Sequence, residues 1–214
     1  MSSRTEEEEL AMIRDWWQRN GKPLITGSVL ALVLVFGWKG WQNYQVEQAQ
    51  GASMLYQQLL ESVMPANGQP DPAQIAALAS NLKKDYAGTT YAQYGSLFVA
   101  KVAVEAGKPD DAVNELQAVL EKPADATLEE LARQRLARVQ AAQGKAEEAL
   151  KLLQAKVEPA FAASRDELKG DLLLQLGRIE EARAAYESAK KALSDESTQS
   201  SLQMKLDDLA TKDE

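Results

Sequence analysis

The sequence predicts an all-α protein in which a single N-terminal transmembrane helix precedes an α-solenoid with a C-terminal capping helix. Three observations predict this fold class. One uncharged apolar run lies near the N-terminus, a short pattern recurs three times behind it, and the last segment alternates as an amphipathic helix does. No stretch of the chain has a convincing strand pattern.

The apolar run at residues 23–38 contains sixteen residues without a charge. Extended past Lys39 to residue 44, it would form about 30 Å of helix, the thickness of a bilayer's hydrocarbon core. Membrane interfaces favour Trp, Tyr and long basic side chains, and both ends of the run carry them. The predicted interface anchors are Trp16, Trp17, Trp38, Lys39, Trp41 and Tyr44.

A cleaved export signal and a buried core helix are the alternatives for this run. A cleaved signal requires small residues just behind the apolar core, but the bulky sequence GWKGWQNYQVEQ follows it. We therefore expect an uncleaved anchor. Arg14, Arg19 and Lys22 precede the run, whereas no basic residue occurs between Lys39 and Lys83. The positive-inside rule then predicts a cytoplasmic N-terminus and a large C-terminal domain outside.

The composition argues against several classes of function. The chain has no His and no Cys, so it cannot form a Ser-His-Asp triad, a Cys/His zinc site or a disulfide. Its formal net charge of −8 lies behind the apolar run, which disfavours nucleic-acid binding. Ser188 and Lys191 match an S-x-x-K motif, but its companion motifs do not occur. We expect no enzyme activity, cofactor, metal, small-molecule substrate or nucleic-acid partner.

The recurring pattern reads Gly, basic, any residue, acidic, acidic, Ala. It occurs as GKPDDA from Gly107, GKAEEA from Gly144 and GRIEEA from Gly177, at spacings of 37 and 33 residues. This period is close to that of a tetratricopeptide repeat, a pair of antiparallel helices. The Gly would end the first helix, and the acidic pair would begin the second. A small residue lies seven positions before each Gly, where the helices would cross: Ala100, Ala137 and Gly170.

Capping signals predict further helices. Asp71 with Pro72 would begin one, and Thr127 with Glu130 and Ser164 with Glu167 read as capping boxes. The last helix would run from about residue 195, with its leucines on one side as a capping helix. The predicted segments are residues 1–22 as a cytoplasmic region, 23–44 as the span, 45–70 as a helical stalk and linker, and 71–214 as the tetratricopeptide-like repeat domain.

A solenoid of helix pairs offers a concave surface to partner proteins. The repeat register predicts which residues of each first helix face this groove. The candidate partner-binding residues are Tyr94, Leu97, Lys101, Val104, Gln134, Arg138, Ala141, Glu167, Asp171 and Leu174.

In the order and spacing of several segments, the chain resembles the YfgM family. Members of this family are ancillary subunits associated with the bacterial Sec translocon. These segments are NGKPLITG before the span, GWKGWQNYQVEQAQGASMLYQ after it, then RLARVQ, GRIEEARAAYESA and SLQMKLDDLA. The resemblance implies an inner-membrane anchor and a periplasmic tetratricopeptide-like domain. It also implies association with SecYEG and a PpiD-like periplasmic chaperone, and help in passing exported proteins to chaperones. The alternative hypothesis is a membrane-anchored structural scaffold that organises envelope machinery through self-association.

Overall fold

The computed structural model describes residues 6–64, 71–193 and 196–210. Within these ranges all regular secondary structure is α-helical, which confirms the predicted all-α class. The helices are α1 (Glu6–Val63), α2 (Pro72–Asp85), α3 (Thr90–Glu105), α4 (Pro109–Glu121), α5 (Ala126–Ala142), α6 (Ala146–Leu152), α7 (Pro159–Gln175), α8 (Ile179–Ala192) and α9 (Glu196–Ala210).

The chain divides into two compact units, one up to Gln50 and one from Gly51. The first unit consists of the N-terminal part of α1, the one helix of the described residues that is long and apolar enough to cross a membrane. Its large apolar side chains are exposed, with Leu30 at 63%, Val33 at 65% and Phe36 at 68%. An exposed apolar surface of this extent is stable in lipid rather than in water.

The second unit is a row of antiparallel helix pairs. Neighbouring helices from α2 to α9 pack against each other in sequence order, and the apolar side chains between them form successive clusters. The first cluster also includes Ala52 and Leu59, so the end of α1 packs with α2. Because each pair buries its apolar face against the next, the unit is a solenoid as predicted.

Three turns between paired helices share one backbone structure. Gly107, Gly144 and Gly177 have φ angles of 72°, 81° and 73°, the left-handed region that glycine adopts without strain. The N–H of Gly107 donates to the Val104 carbonyl at 3.0 Å, and the next N–H donates to the Ala103 carbonyl at 2.8 Å. The same pair of bonds recurs at the other two glycines, and together they define a Schellman motif.

The residue after each of these glycines is basic and caps the following helix without a side-chain hydrogen bond. An ammonium or guanidinium group cannot accept a bond from the first N–H groups of a helix. The acidic pairs Asp110–Asp111, Glu147–Glu148 and Glu180–Glu181 lie in the first turn of these helices. Their negative charges offset the positive end of the helix dipole, as the sequence pattern indicated.

Three further helix starts were predicted from capping signals, at Asp71, Thr127 and Ser164. The first is confirmed and the other two are wrong. The Asp71 carboxylate accepts a bond from the Ala73 N–H at 2.9 Å, with Pro72 at the first helical position. Helix α5, however, is capped by Asp125, which accepts from the Leu128 N–H at 2.8 Å. Helix α7 already begins at Pro159, so Ser164 lies in its interior. Asp125 and Pro159 are stronger start signals that lie earlier in the chain.

The predicted helix crossings occur at the small residues. Ala100 and Ala137 are 3% and 0% exposed. At Gly170 the ring of Tyr186 occupies the space that a Cβ atom would need. Leu202 and Leu209 of α9 are buried in the same cluster as Tyr186. Helix α9 therefore closes the end of the core, which confirms the predicted capping helix.

Replacing Gly170 by Ala should destabilise the repeat unit, because the new methyl group would displace the Tyr186 ring. Overpacking of this kind lowers the free energy of unfolding by about 1–3 kcal/mol. Urea unfolding of the full-length protein in mild detergent, followed by far-ultraviolet circular dichroism, measures the change. The matched control is Gly88→Ala, since no atom lies within 4 Å of the place that its methyl group would take. Equal stability of the two variants would contradict the close approach of α7 and α8.

Candidate functional site

The first helices of three successive pairs, α3, α5 and α7, form a continuous groove. Helix α5 lies in the middle and contacts both of the others. Between α3 and α5 the groove deepens into a cleft of about 370 Å³, which we call the α3–α5 cleft. It is lined by Leu97, Phe98, Ala100, Lys101, Val104, Glu105, Leu116, Arg135, Arg138 and Val139. This cleft is mainly apolar, with charged side chains at its mouth.

A second cleft of about 320 Å³ lies between α5 and α7. Its lining consists of Arg138, Ala141, Ala142, Leu168, Asp171, Leu172 and Gln175. Arg138 therefore borders both clefts and faces the centre of the groove. Of the ten candidate partner-binding residues, the two clefts contain Leu97, Lys101, Val104, Arg138, Ala141 and Asp171.

The candidate residues in the two clefts differ in how much of each side chain is exposed. Val104 is 46% exposed although it is a large apolar side chain, and Lys101 and Arg138 are also exposed. Leu97 is only 2% exposed and Ala141 only 6%, so their side chains form the floor of the groove. Partner binding by all of these residues stays a prediction.

Two arginines of α5 define the electrostatics of the α3–α5 cleft. Arg135 donates a long bond of 3.4 Å from Nη1 to the Leu97 carbonyl. Arg135 is exposed overall, but partial burial of its guanidinium, and then repulsion by Arg138, lowers the pKa of Arg135 below its usual value, while Tyr56 opposes this shift. Both arginines line this cleft, so their positive charges lie together at its mouth.

An aromatic cluster adjoins the arginines. Tyr56, near the end of α1, packs with Tyr91 and Tyr94 at ring-centre distances of 5.4 and 5.7 Å, and with Phe98 at 6.3 Å. Burial raises the pKa of Tyr56, and the neighbouring Tyr94 adds to the increase. The predicted groove residue Tyr94 lies in this cluster. The sequence does not predict Tyr56 as a groove residue, because residues 45–70 have the pattern of a stalk and linker rather than of a repeat helix.

A buried ion pair joins α5 to α7 beneath the groove. Arg165 is 1% exposed and Glu130 is 5% exposed. The Arg165 Nε donates to Glu130 Oε1 at 2.8 Å, and Nη2 donates to Oε2 of the same carboxylate. Arg165 Nη1 also donates to the carbonyls of Leu153 and Ala155 in the connection before α7. Because its hydrogen bonds are satisfied on both sides, this pair holds the two groove helices and the loop together.

Gln134, a predicted groove residue, belongs to this buried network rather than to the exposed surface. Its Nε2 donates to Glu130 Oε1 and to Ser164 Oγ, both at 2.9 Å, and the residue is 6% exposed. The sequence does not predict this network, because Glu130 and Ser164 each fit a capping box. One signal was present: Arg165, Leu168 and Leu172 follow the spacing of a buried helix face.

A second polar network fixes α9 to α7 at the far end of the groove. Lys205 of α9 forms ion pairs with Glu167 at 2.8 Å and with Asp171 at 2.7 Å. Burial alone would lower the pKa of Lys205, but these carboxylates raise it above its usual value. The Tyr186 hydroxyl donates to Asp171 at 2.8 Å, and burial together with this bond raises the tyrosine pKa.

The remaining candidates lie near this second network or in the first unit. Leu174 is half-buried and packs against the cluster that contains Tyr186. In the first unit Trp16, Trp17, Trp38, Trp41 and Tyr44 are between 50% and 66% exposed, and Lys39 is exposed. The rings of Trp38 and Trp41 lie 5.3 Å apart. Their role as interface anchors stays a prediction.

The sequence matches a family model and several known proteins over most of its length. A family model described as a tetratricopeptide repeat-like domain matches residues 14–211. A protein of Aggregatibacter actinomycetemcomitans is 33% identical over 87% of this chain and 89% of its own length. One of Escherichia coli is 30% identical over 96% and 97%, and one of Haemophilus influenzae is 31% identical over 95% and 97%. All three relatives are named ancillary SecYEG translocon subunit.

Replacing Glu130 by Ala should lower the free energy of unfolding by about 3–5 kcal/mol, because it leaves the buried Arg165 charge without a carboxylate to balance it. Urea unfolding of the full-length protein in mild detergent measures the loss. The control is Glu187→Ala, the same change at an exposed position of α8, which should have little effect. Replacing both partners, with Glu130→Leu and Arg165→Met, should restore most of the stability. A Glu130→Ala variant as stable as the control would contradict the role of the pair.

Proposed function

Because this chain belongs to the tetratricopeptide repeat-like family of ancillary SecYEG translocon subunits, we propose that it serves a Sec translocon as a membrane-anchored protein-interaction subunit. The observation that carries the proposal is the groove of α3, α5 and α7. Its α3–α5 cleft combines apolar and aromatic side chains with Arg, and aromatic residues and Arg contribute most to the affinity of protein–protein interfaces.

We assign a binding role rather than catalysis to the groove. Its charged groups are mainly arginine and lysine, and the chain contains no His or Cys that could act as a base or nucleophile near neutral pH. The acidic pairs of the repeats begin helices and point in different directions. The residues that would bind a partner are those of the two clefts.

The anchor in this proposal is residues 23–44, with residues 1–22 in the cytoplasm and the repeat unit in the periplasm. Support comes from the exposed apolar surface of α1 and from the basic residues that precede it. The membrane is the inner membrane, where a SecYEG channel lies. We further propose that the groove receives a PpiD-like periplasmic chaperone, and that the complex passes exported proteins from the channel to chaperones.

Crosslinking tests the partner assignment. A photoreactive amino acid at Val104, which is 46% exposed in the α3–α5 cleft, should capture Sec subunits or a membrane-anchored periplasmic chaperone in intact membranes. Mass spectrometry of the purified adducts identifies them. Position Lys151, exposed on α6 outside the groove, is the control and should give much less of these adducts. Capture of only a second copy of the chain from Val104 would contradict the proposal and favour a self-associating scaffold.

Thiol labelling tests the orientation. The chain has no cysteine, so Lys151→Cys and Gln18→Cys each introduce a single thiol. A membrane-impermeant maleimide should label Lys151→Cys in intact spheroplasts, because the repeat unit lies outside the inner membrane. Gln18→Cys should react only after lysis, since basic residues retain the N-terminal segment in the cytoplasm. The reverse labelling pattern would refute the proposed topology.

A further inference from the structure

The α3–α5 cleft concentrates positive charge in an acidic protein. The formal net charge of the chain is −8, yet Lys101, Arg135 and Arg138 all line this one cleft. Arg135 and Arg138 are three positions apart on α5 and therefore lie on the same face of the helix. Both side chains are exposed at the cleft mouth.

The acidic groups around the cleft leave the two arginines without a carboxylate. Glu105, on the opposite wall, pairs with Lys101 at 3.7 Å. Asp171, in the adjoining cleft, is already held by Lys205 at 2.7 Å and by Tyr186 at 2.8 Å. In the part of the chain that the structure describes, neither Arg135 nor Arg138 forms an ion pair.

The two guanidinium groups line one cleft without a carboxylate between them, so their positive charges repel each other. Burial and the charge of Arg138 both lower the pKa of Arg135. An anion placed between them would relieve this repulsion and accept several charge-assisted hydrogen bonds. Beside them the cleft floor is apolar, with Leu97, Phe98 and Val139. The occupant that fits both features carries a carboxylate next to a large apolar side chain.

We propose that the α3–α5 cleft binds a polypeptide segment of a partner protein in which a large apolar side chain lies beside one or two Asp or Glu residues. The apolar side chain enters the cleft between Leu97 and Val104, and the carboxylates bind Arg135 and Arg138. This inference rests on the proposed function, because it specifies the chemistry of the partner segment that the groove receives.

Three fluorescein-labelled peptides of equal length test the proposal. They share two Leu residues and one Phe and differ only in their flanking residues, which are Glu, Gln or Lys. Fluorescence anisotropy with the full-length protein in mild detergent measures the dissociation constants. The Glu peptide should bind roughly tenfold more tightly than the Gln peptide, and the Lys peptide should bind most weakly. Added salt should reduce the difference, since the pairs at the cleft mouth are accessible to counterions.

Two double variants test whether the preference for the Glu peptide over the Gln peptide arises in the α3–α5 cleft. The double variant Arg135→Gln/Arg138→Gln should bind the Glu and Gln peptides equally. The control Lys84→Gln/Lys151→Gln removes the same charge from exposed positions on α2 and α6 and should keep the preference. Circular dichroism checks that both double variants are folded, which is expected because all four side chains are exposed.

Three results would overturn the inference: no binding of the Glu peptide, equal binding of all three peptides, or a Glu preference that persists without Arg135 and Arg138. Its failure is distinguishable from failure of the proposed function. Capture of Sec subunits from Val104 without a Glu preference would refute only the cleft chemistry. A Glu preference without capture of Sec subunits or a chaperone would refute only the partner assignment.

Discussion

The groove of this protein depends on one buried ion pair. Arg165 and Glu130 lie 35 positions apart in the sequence, and their bidentate bond joins α7 to α5. Removing two charges from water is unfavourable, so the pair stabilises the fold only because Gln134, Leu153 and Ala155 supply further hydrogen bonds. An apolar pair of similar size would fill the same space, but it lacks hydrogen bonds that fix the angle between the two helices. The ion pair therefore contributes mainly to the relative orientation of α5 and α7, and so to the shape of the groove between them.

The rest of the repeat unit is built from local structures that repeat. Each Schellman turn uses backbone hydrogen bonds and a left-handed glycine, so the turn needs no particular side chain around it. The acidic pairs begin the next helix, and Gly170 allows α7 and α8 to approach each other closely. The fold therefore requires particular residue types mainly at the turns and at the helix crossings. The exposed residues of the first helices are not restricted in this way and remain available for binding. The side chains of Arg138 and Val104 illustrate this freedom, since both are exposed and both line the α3–α5 cleft.

Most features that depend on neighbours in the sequence could be predicted, although two caps were wrong, whereas side-chain pairs between different repeats could not be predicted. The turn at Gly107, the cap at Asp71 and the span-length apolar run are each specified by residues within a few turns of helix. The Glu130–Arg165 pair is a contact between different repeats, and the local sequence around Glu130 resembles a capping box. To predict which residues face the groove, one must know the rotational orientation of each helix about its axis. Successive residues differ by about 100° around a helix, so a small error in phase moves a position such as Gln134 from the surface to the interior.

The chemistry of the α3–α5 cleft also determines which conditions can influence binding there. Arginine keeps its proton throughout the physiological range, and the chain has no histidine that could change charge between about pH 5 and 8. Carboxylates of a bound segment are ionised over the same range. The attraction between them is therefore insensitive to ordinary changes in acidity, but it remains sensitive to ionic strength. In the periplasm, where we propose that the repeat unit lies, a domain is exposed to the acidity of the surroundings. The proposed pairing at this cleft would be equally strong in mildly acidic and neutral conditions.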